Sequence, residues 1–182
     1  MPQPYQRSYP QQRVTAIGEW AFAECERLTS VTIGGSVISI GGFAFARCSS
    51  LASVTIPGSV TSIGHRAFEG CSRLASVTIG NGVASIGWGA FLGCSSLTNV
   101  TIPTGVTSIG AGAFSGCTSL ASVTFGGSIS QANFSSSYYS SSSPSYHCYT
   151  FPGNLRDRYF AQAGGPGTYT RPNGESTTWT KS

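Results

Sequence analysis

Charge is scarce in this chain: of 182 residues only six are acidic and ten basic, and nine of those ten are arginine. The surface must therefore be made polar mainly by Ser, Thr and Gly, while 40% hydrophobic residues are enough for one sizeable core. The excess of +4 is dispersed. No continuous basic stripe follows from it, so nucleic acid is not an expected partner. Long apolar runs are missing as well. None approaches the ~20 residues of a membrane-crossing helix, and the opening MPQPYQRSYPQQR holds no apolar signal-peptide core. Membrane insertion is not expected. The chain is expected either to bypass that export route or to be a processed form.

Groups that do chemistry are equally few. Two histidines and six acids do not recur at equivalent positions, and no G-x-S-x-G, H-E-x-x-H or phosphate-loop pattern occurs. His147 and Cys148 are neighbours in sequence, and neighbours on an extended chain point opposite ways, which argues against a catalytic pair. No enzymatic activity and no cofactor are expected. Asn99-Val-Thr101 and Asn133-Phe-Ser135 fit the N-glycosylation pattern, the first of them on a strand.

What the chain has in abundance is repetition, with a period of 23 residues that runs five times without insertion or deletion. The copies begin at Val14, Val37, Val60, Val83 and Val106; the third reads VTSIGHRAFEGCSRLASVTIGNG. A period in the twenties marks a solenoid in which each repeat is one coil and equivalent residues stack in columns. The columns are clean: Ile17, Ile40, Ile63, Ile86, Ile109, then Phe22, Phe45, Phe68, Phe91, Phe114, then Leu28, Leu51, Leu74, Leu97, Leu120. Val31 and Ile33 and their equivalents alternate as a strand with one face buried, so 30–33 of the first coil and its counterparts should pair in a parallel sheet. Val14 to Ile17 suggests a shorter strand on the opposite wall. The glycine after it, Gly18 and its equivalents, is expected either to need positive φ or to have no room for a Cβ. Between that glycine and the cysteine, one helical or 3₁₀ turn should direct Ala21 and Phe22 inward. The five or six large side chains of a single coil cannot offset the conformational entropy of ordering it, so stability must come from stacking.

Cys25, Cys48, Cys71, Cys94 and Cys117 form another column, with Cys148 outside it. Stacked neighbours have parallel Cβ vectors that disfavour disulfides, and one sulfur per level cannot converge on a metal. They read as small buried hydrophobes.

F-x-x-C-x-x-L-x-x-V-x-I, followed by P-x-x-V-x-x-I-G-x-x-A-F, resembles the BspA-like class of bacterial leucine-rich repeats over residues 14–128. The end, FPGNLRDRYFAQAGGPGTYTRPNGESTTWTKS, is similar to the C-terminal segment of many spirochaete proteins of that class. The resemblance implies a right-handed, curved leucine-rich repeat solenoid, surface exposure or secretion, and adhesion or ligand binding without catalysis.

Two outward surfaces are candidate sites. One is a hydroxyl ladder on the expected concave wall: Ser30, Ser53, Ser76, Asn99 and Ser122, beside Thr32, Thr55, Thr78, Thr101 and Thr124. Thr is also simply a favourable exposed strand residue, and the rows are similar to the flat hydroxyl arrays of ice-binding solenoids, which a curved sheet would not match. The other is an aromatic flank after the glycine, with Trp20, Phe43, His65, Arg66 and Trp88, residue types that dominate binding hot spots but could also shield the core edge. A host or bacterial surface protein or a glycan is the expected partner.

Past Gly127 a sixth coil starts with Ile129 in phase and then fails, with Ala132 for the isoleucine and Ser137 for the phenylalanine. The organisation expected is a polar segment 1–13, five repeats over 14–128, a degenerate repeat and mobile Ser/Tyr-rich loop over 129–153, and a cap over 154–182. In the cap, 154–163 should be a short helix, with Leu155, Tyr159 and Phe160 on the last coil; Tyr169–Arg171 and Thr177–Thr180 should form a hairpin around Pro-Asn-Gly-Glu. Nothing comparable covers Val14. The open first coil exposes sheet edge, and self-association through it, or a truncated N-terminus, is expected.

Overall fold

The computed structural model describes residues 13–135, 137–139, 147–153, 155–161, 164–172 and 176–182. The opening polar segment, the centre of the Ser/Tyr-rich loop and the expected Pro-Asn-Gly-Glu turn fall largely or wholly outside them.

Each repeat is one coil of a parallel solenoid, and equivalent residues pair in register. A narrow sheet stacks Ala16–Ile17, Ser39–Ile40, Ser62–Ile63, Ser85–Ile86 and Ser108–Ile109. A broad sheet stacks Ser53–Ile56, Ser76–Ile79, Asn99–Ile102 and Ser122–Phe125, with Ser53 opposite Ser76 and Asn99 opposite Ser122. The first coil joins the broad sheet only through an isolated bridge from Ser30 to Ser53, so its expected four-residue strand is not formed.

The third side of each coil is not the expected helical or 3₁₀ turn. Phe43 and Arg47 have φ of 54° and 60°, and two left-handed residues so close together cannot lie in a right-handed helical turn. The segment instead makes consecutive tight turns, with Ala46 N–H donating to Phe43 O at 3.0 Å, and its other N–H groups run a ladder to the next coil: Phe45 to Ala67 O at 2.7 Å and Arg47 to Glu69 O at 2.6 Å. The backbone is thus satisfied on three walls by coil-to-coil bonds.

From the second coil on, the recurring glycine is explained by crowding, whereas a Cβ on Gly18 would meet nothing within 4 Å. A Cβ on Gly64 would lie 2.5 Å from the carbonyl carbon of Gly41, and one on Gly41 would lie 2.6 Å from Glu19 N, whereas these glycines do not have positive φ. Positive φ falls two residues later, at Trp20, Phe43, Arg66, Gly89 and Gly112.

Inside, the phenylalanine column stacks ring on ring: Phe45 on Phe68 and Phe68 on Phe91 at 5.2 Å, Phe91 on Phe114 at 5.1 Å. The column continues where the repeat pattern fails. Phe151 stacks on Phe114 at 4.7 Å, Phe114 N–H donates to Thr150 O at 2.8 Å, and Phe134 bridges to Ile109. A sixth coil therefore exists, completed by Phe134 and Phe151 in the places that strict spacing assigns to Ala132 and Ser137. The residues between them include an antiparallel pair, Ser137–Tyr139 with His147–Tyr149, within the segment expected to be a mobile loop.

The cysteines are more than small hydrophobes. Each thiol from the second coil on donates to the phenylalanine carbonyl of the coil before: Cys48 to Phe22, Cys71 to Phe45, Cys94 to Phe68 and Cys117 to Phe91, at 3.1–3.3 Å. All five column thiols are free. Burial pushes the Cys48 thiol up to about 11 and those of Cys71 and Cys117 up to about 12, well above the ordinary thiol range. A thiol whose folded pKa is raised stabilises the fold fully below its unfolded pKa and loses that contribution as pH climbs to the folded value. Stability should be flat to about pH 8 and fall between pH 9 and 12. Alkylation at pH 8 read by mass spectrometry should mark the exposed Cys25 first and spare Cys71, Cys94 and Cys117 until denaturant is added; ready labelling of Cys94 in the native chain would contradict this packing.

The C-terminal cap closes the stack in a way the sequence pattern only half indicates. Leu155–Phe160 is helical with Leu155 and Tyr159 buried, as expected. The hairpin is shifted, with Gly167–Thr170 pairing Thr180–Lys181, and its first strand also pairs antiparallel with Ser122–Phe125, extending the broad sheet. Arg171 leaves the strand and turns inward, where the incomplete sixth coil leaves the carbonyls of Cys117, Thr118 and Leu120 of the fifth for its guanidinium. Arg156, Arg158 and Arg171 each donate through Nε to a main-chain carbonyl, of Phe134, Trp179 and Leu120 respectively. Part of the basic excess thus serves the cap.

Candidate functional site

The hydroxyl ladder lies where the strand alternation puts it. Thr55, Thr78 and Thr101 are exposed beside Ser53, Ser76 and Asn99, while Ser122 and Thr124 are partly covered because Thr124 Oγ1 meets Thr168 Oγ1 of the cap at 3.0 Å. Ser30 and Thr32 continue it, exposed, on the first coil. The ladder is uniform and uncharged.

The aromatic flank is the more structured surface. Trp20 stacks on Phe43 at 4.0 Å with the planes 5° apart, Phe43 meets His65 edge-on at 5.0 Å, and His65 stacks near Trp88 at 6.1 Å. The Arg66 guanidinium lies over the Trp88 ring at 4.3 Å and within 5.7 Å of Phe43, a cation–π arrangement. All five sequence-derived flank residues are therefore brought together. Trp20 remains 57% exposed, and among the described residues Phe43 is its one ring neighbour.

Three further charged residues join them. A cleft of about 330 Å³ is lined by Trp20, Ala23, Glu24, Phe43, Ala46, Arg47, Arg66 and Glu69. Arg47 Nη1 pairs with Glu24 Oε1 at 3.1 Å on the open side, and Arg66 Nη1 approaches Glu69 Oε2 at 3.5 Å. The first of these, fully on the surface, contributes little to stability, about 0–1 kcal/mol. Arg66 Nε is buried without a hydrogen-bond partner, an orphan donor that native structures rarely leave.

Backbone conformation singles out the same cleft. The described non-glycine residues with positive φ are Trp20, Glu24, Phe43, Arg47 and Arg66, at 52–60°, and every one of them lines it. Each such residue costs roughly 1–2 kcal/mol relative to glycine's free access to that region. Later coils do not carry that cost, because the equivalent positions are Gly70, Gly89, Gly93, Gly112 and Gly116. Strain concentrated at one place is a pointer to function.

Glu24, Arg47 and Glu69 escaped sequence reasoning, although two signals mark them. The positions of Glu24 and Arg47 are glycine in the other coils. Moreover, all eight charged residues of the repeats, Glu19, Glu24, Glu26, Arg27, Arg47, Arg66, Glu69 and Arg73, lie in the first three coils, and Val83 to Ser128 holds none.

The strain has a measurable consequence. Arg47→Gly removes an exposed ion pair of little worth and relieves a left-handed side chain, so it should raise stability by up to about 1 kcal/mol in urea unfolding. Destabilisation by a similar amount would mean that Arg47 holds the fold rather than the cleft.

The BspA type leucine rich repeat region matches residues 11–153 in six copies, which agrees with a sixth coil completed by Phe151. No curated protein matches. Among solved structures, a leucine rich repeat protein from T. pallidum is similar at 38% identity and a TM-score of 0.60, over 60% of this chain and 51% of its own. One from Bacteroides ovatus is 44% identical with a TM-score of 0.58, over 60% of this chain and 28% of its own. A leucine rich cell surface protein from Faecalibacterium prausnitzii is 33% identical with a TM-score of 0.51, over 71% of this chain and 41% of its own. The chain thus spans about half the length of these proteins or less. The stacked columns and a family match over most of the sequence lead to one statement: the chain belongs to the BspA-type leucine-rich repeat family.

Proposed function

We propose that the chain is a non-enzymatic binding module, displayed at a bacterial surface, that engages a protein or glycan through the flank of its first three coils. One observation carries this reading: every described non-glycine residue held at positive φ lines one cleft, although later coils place glycine at the same positions. A surface that needed only shielding would keep the glycine. Trp20, Phe43 and Arg66, which line the cleft, are of the residue types that anchor interfaces, and the hydroxyl ladder is the secondary candidate face. Replacing Trp20, Phe43 and Trp88 together by alanine should abolish attachment to immobilised extracellular-matrix proteins and glycans while circular dichroism stays that of a folded solenoid. Unchanged attachment by that variant would refute the flank.

A structural, self-associating role is the second reading, favoured by the first coil. The carbonyls of Gly42, Ala44 and Ala46 each accept an N–H from the coil before, whereas those of Glu19, Ala21 and Ala23 accept none within the described chain. Val14 and Phe22 are exposed beside them, and an open edge of this kind invites pairing. Sedimentation should then show concentration-dependent dimers; a strict monomer at high concentration excludes this role.

A further inference from the structure

We infer that the cleft, at its first two coils, takes a neutral sugar ring, packed by its C–H face on the exposed indole of Trp20 and hydrogen-bonded through its hydroxyls to Glu24 and Arg47. This rests on the flank being the binding surface, and it names the ligand class.

Three features select that class. First, the cleft balances its charge, with Glu24 and Glu69 against Arg47 and Arg66. It therefore has no excess of either sign to attract a sulfated, sialylated or otherwise ionic ligand, yet it offers carboxylate acceptors and guanidinium donors side by side. A hydroxyl is both donor and acceptor and can use the two together. Second, the N–H groups along the cleft that an extended peptide would need are already committed to the next coil. Trp20, Phe22 and Glu24 donate their N–H groups to Gly42, Ala44 and Ala46, and Phe43, Phe45 and Arg47 donate theirs to His65, Ala67 and Glu69. Strand addition draws its affinity from such groups; here recognition must come from side chains. Third, Trp20 presents a broad apolar plane. Phe43 supports one side at 4.0 Å, and 57% of the residue is open. A supported indole beside polar side chains matches a ring with one apolar face and a polar rim. The cleft, at about 330 Å³, is at the lower end of small-ligand pockets, ~300–1,000 Å³, the size for one or two rings rather than a long segment.

The test uses the full chain and its Trp20→Gly variant on one printed surface that carries neutral oligosaccharides, sulfated and sialylated oligosaccharides, and extracellular-matrix proteins. Glycine suits the backbone at that position, where φ is 60°, so folding should survive, and thermal denaturation checks that it does. The expected result is binding to neutral oligosaccharides that weakens at least tenfold in the variant and hardly changes between low and high salt, since no ionic attraction is involved. No neutral oligosaccharide bound, or binding confined to the anionic ones, overturns the sugar assignment. In that case, matrix-protein binding that Trp20→Gly abolishes leaves the flank standing as a protein site. Binding of any kind that Trp20→Gly leaves intact overturns both.

Discussion

Phe68→Ala should lower the stability of the chain by about 3–5 kcal/mol, the range for removing a fully buried phenylalanine. The upper end is expected, because Phe68 is fully buried and its ring is stacked on both sides, on Phe45 and on Phe91 at 5.2 Å, and each such pair adds about 0.5–1.5 kcal/mol beyond area burial. The consequence should not be local. In a solenoid each coil is held chiefly by its neighbours, and a cavity in the third coil separates the two coils before it from those after it. Urea unfolding followed by circular dichroism should therefore lose cooperativity as well as midpoint. Phe22→Ala in the first coil is the control. Phe22 is 41% exposed and, among the described residues, stacks on one side alone, at 5.1 Å from Phe45, so its removal should cost about 1 kcal/mol. Equal losses for the two would contradict a continuous stacked core.

Arg171→Ala should be nearly as damaging, for a different reason. Arg171 is 5% exposed, and its guanidinium donates to Leu120 O, to Cys117 O at 3.3 Å, to Thr118 O at 3.1 Å and to Ser176 O at 2.8 Å. Its backbone N–H also takes the next coil's place by donating to Ala121 O at 3.0 Å. Its ring neighbour is Trp179 at 5.2 Å, itself fully buried with Nε1 donating to Pro152 O at 2.6 Å. Truncation at Ala removes four hydrogen bonds at once, two of them to the buried Leu120 and Cys117 of the fifth coil, and bonds to a charged donor contribute about 1.5–3 kcal/mol each, so a loss of about 3–5 kcal/mol is expected. Hydrogen exchange should show protection lost first in Ser122–Phe125 and the cap strands, with the central coils still protected. Uniform protection loss would place the role of Arg171 elsewhere.

The regular part of this fold was legible because the chain writes it repeatedly. Five copies in one register separate Ile40, Phe45 and Leu51 as core from Ser53 and Thr55 as surface, and the structure keeps that division. Two kinds of glycine, however, look alike in a sequence. Gly64 is required because the preceding coil leaves no space for a Cβ, and Gly70 because φ is 69°. The difference lies in what substitutes for them: nothing replaces the first kind in any coil, while Trp20, Glu24, Phe43, Arg47 and Arg66 occupy positions of the second. The sixth coil was hidden because an insertion moves its phenylalanine to Phe151, and Arg171 because its carbonyl partners are remote in sequence. Residue type marked Trp20, Phe43, His65, Arg66 and Trp88 as candidates. Their clustering with Glu24, Arg47 and Glu69 needed the turn geometry, which spacing alone does not carry.

The three indoles give the most direct test of the flank as the binding surface. Trp20 is exposed on it, Trp88 is half-buried within it, and Trp179 is buried in the cap. Indole N–H and backbone amide resonances should be followed while the strongest binder from the printed surface is titrated into the ¹⁵N-labelled chain. The account predicts shifts of the Trp20 and Trp88 indoles and of the amides of Phe43, Arg47 and Arg66, with the Trp179 indole unmoved. Shifts confined to the amides of Thr55, Thr78 and Thr101, with the Trp20 and Trp88 indoles unchanged, would contradict it and move the site to the hydroxyl ladder.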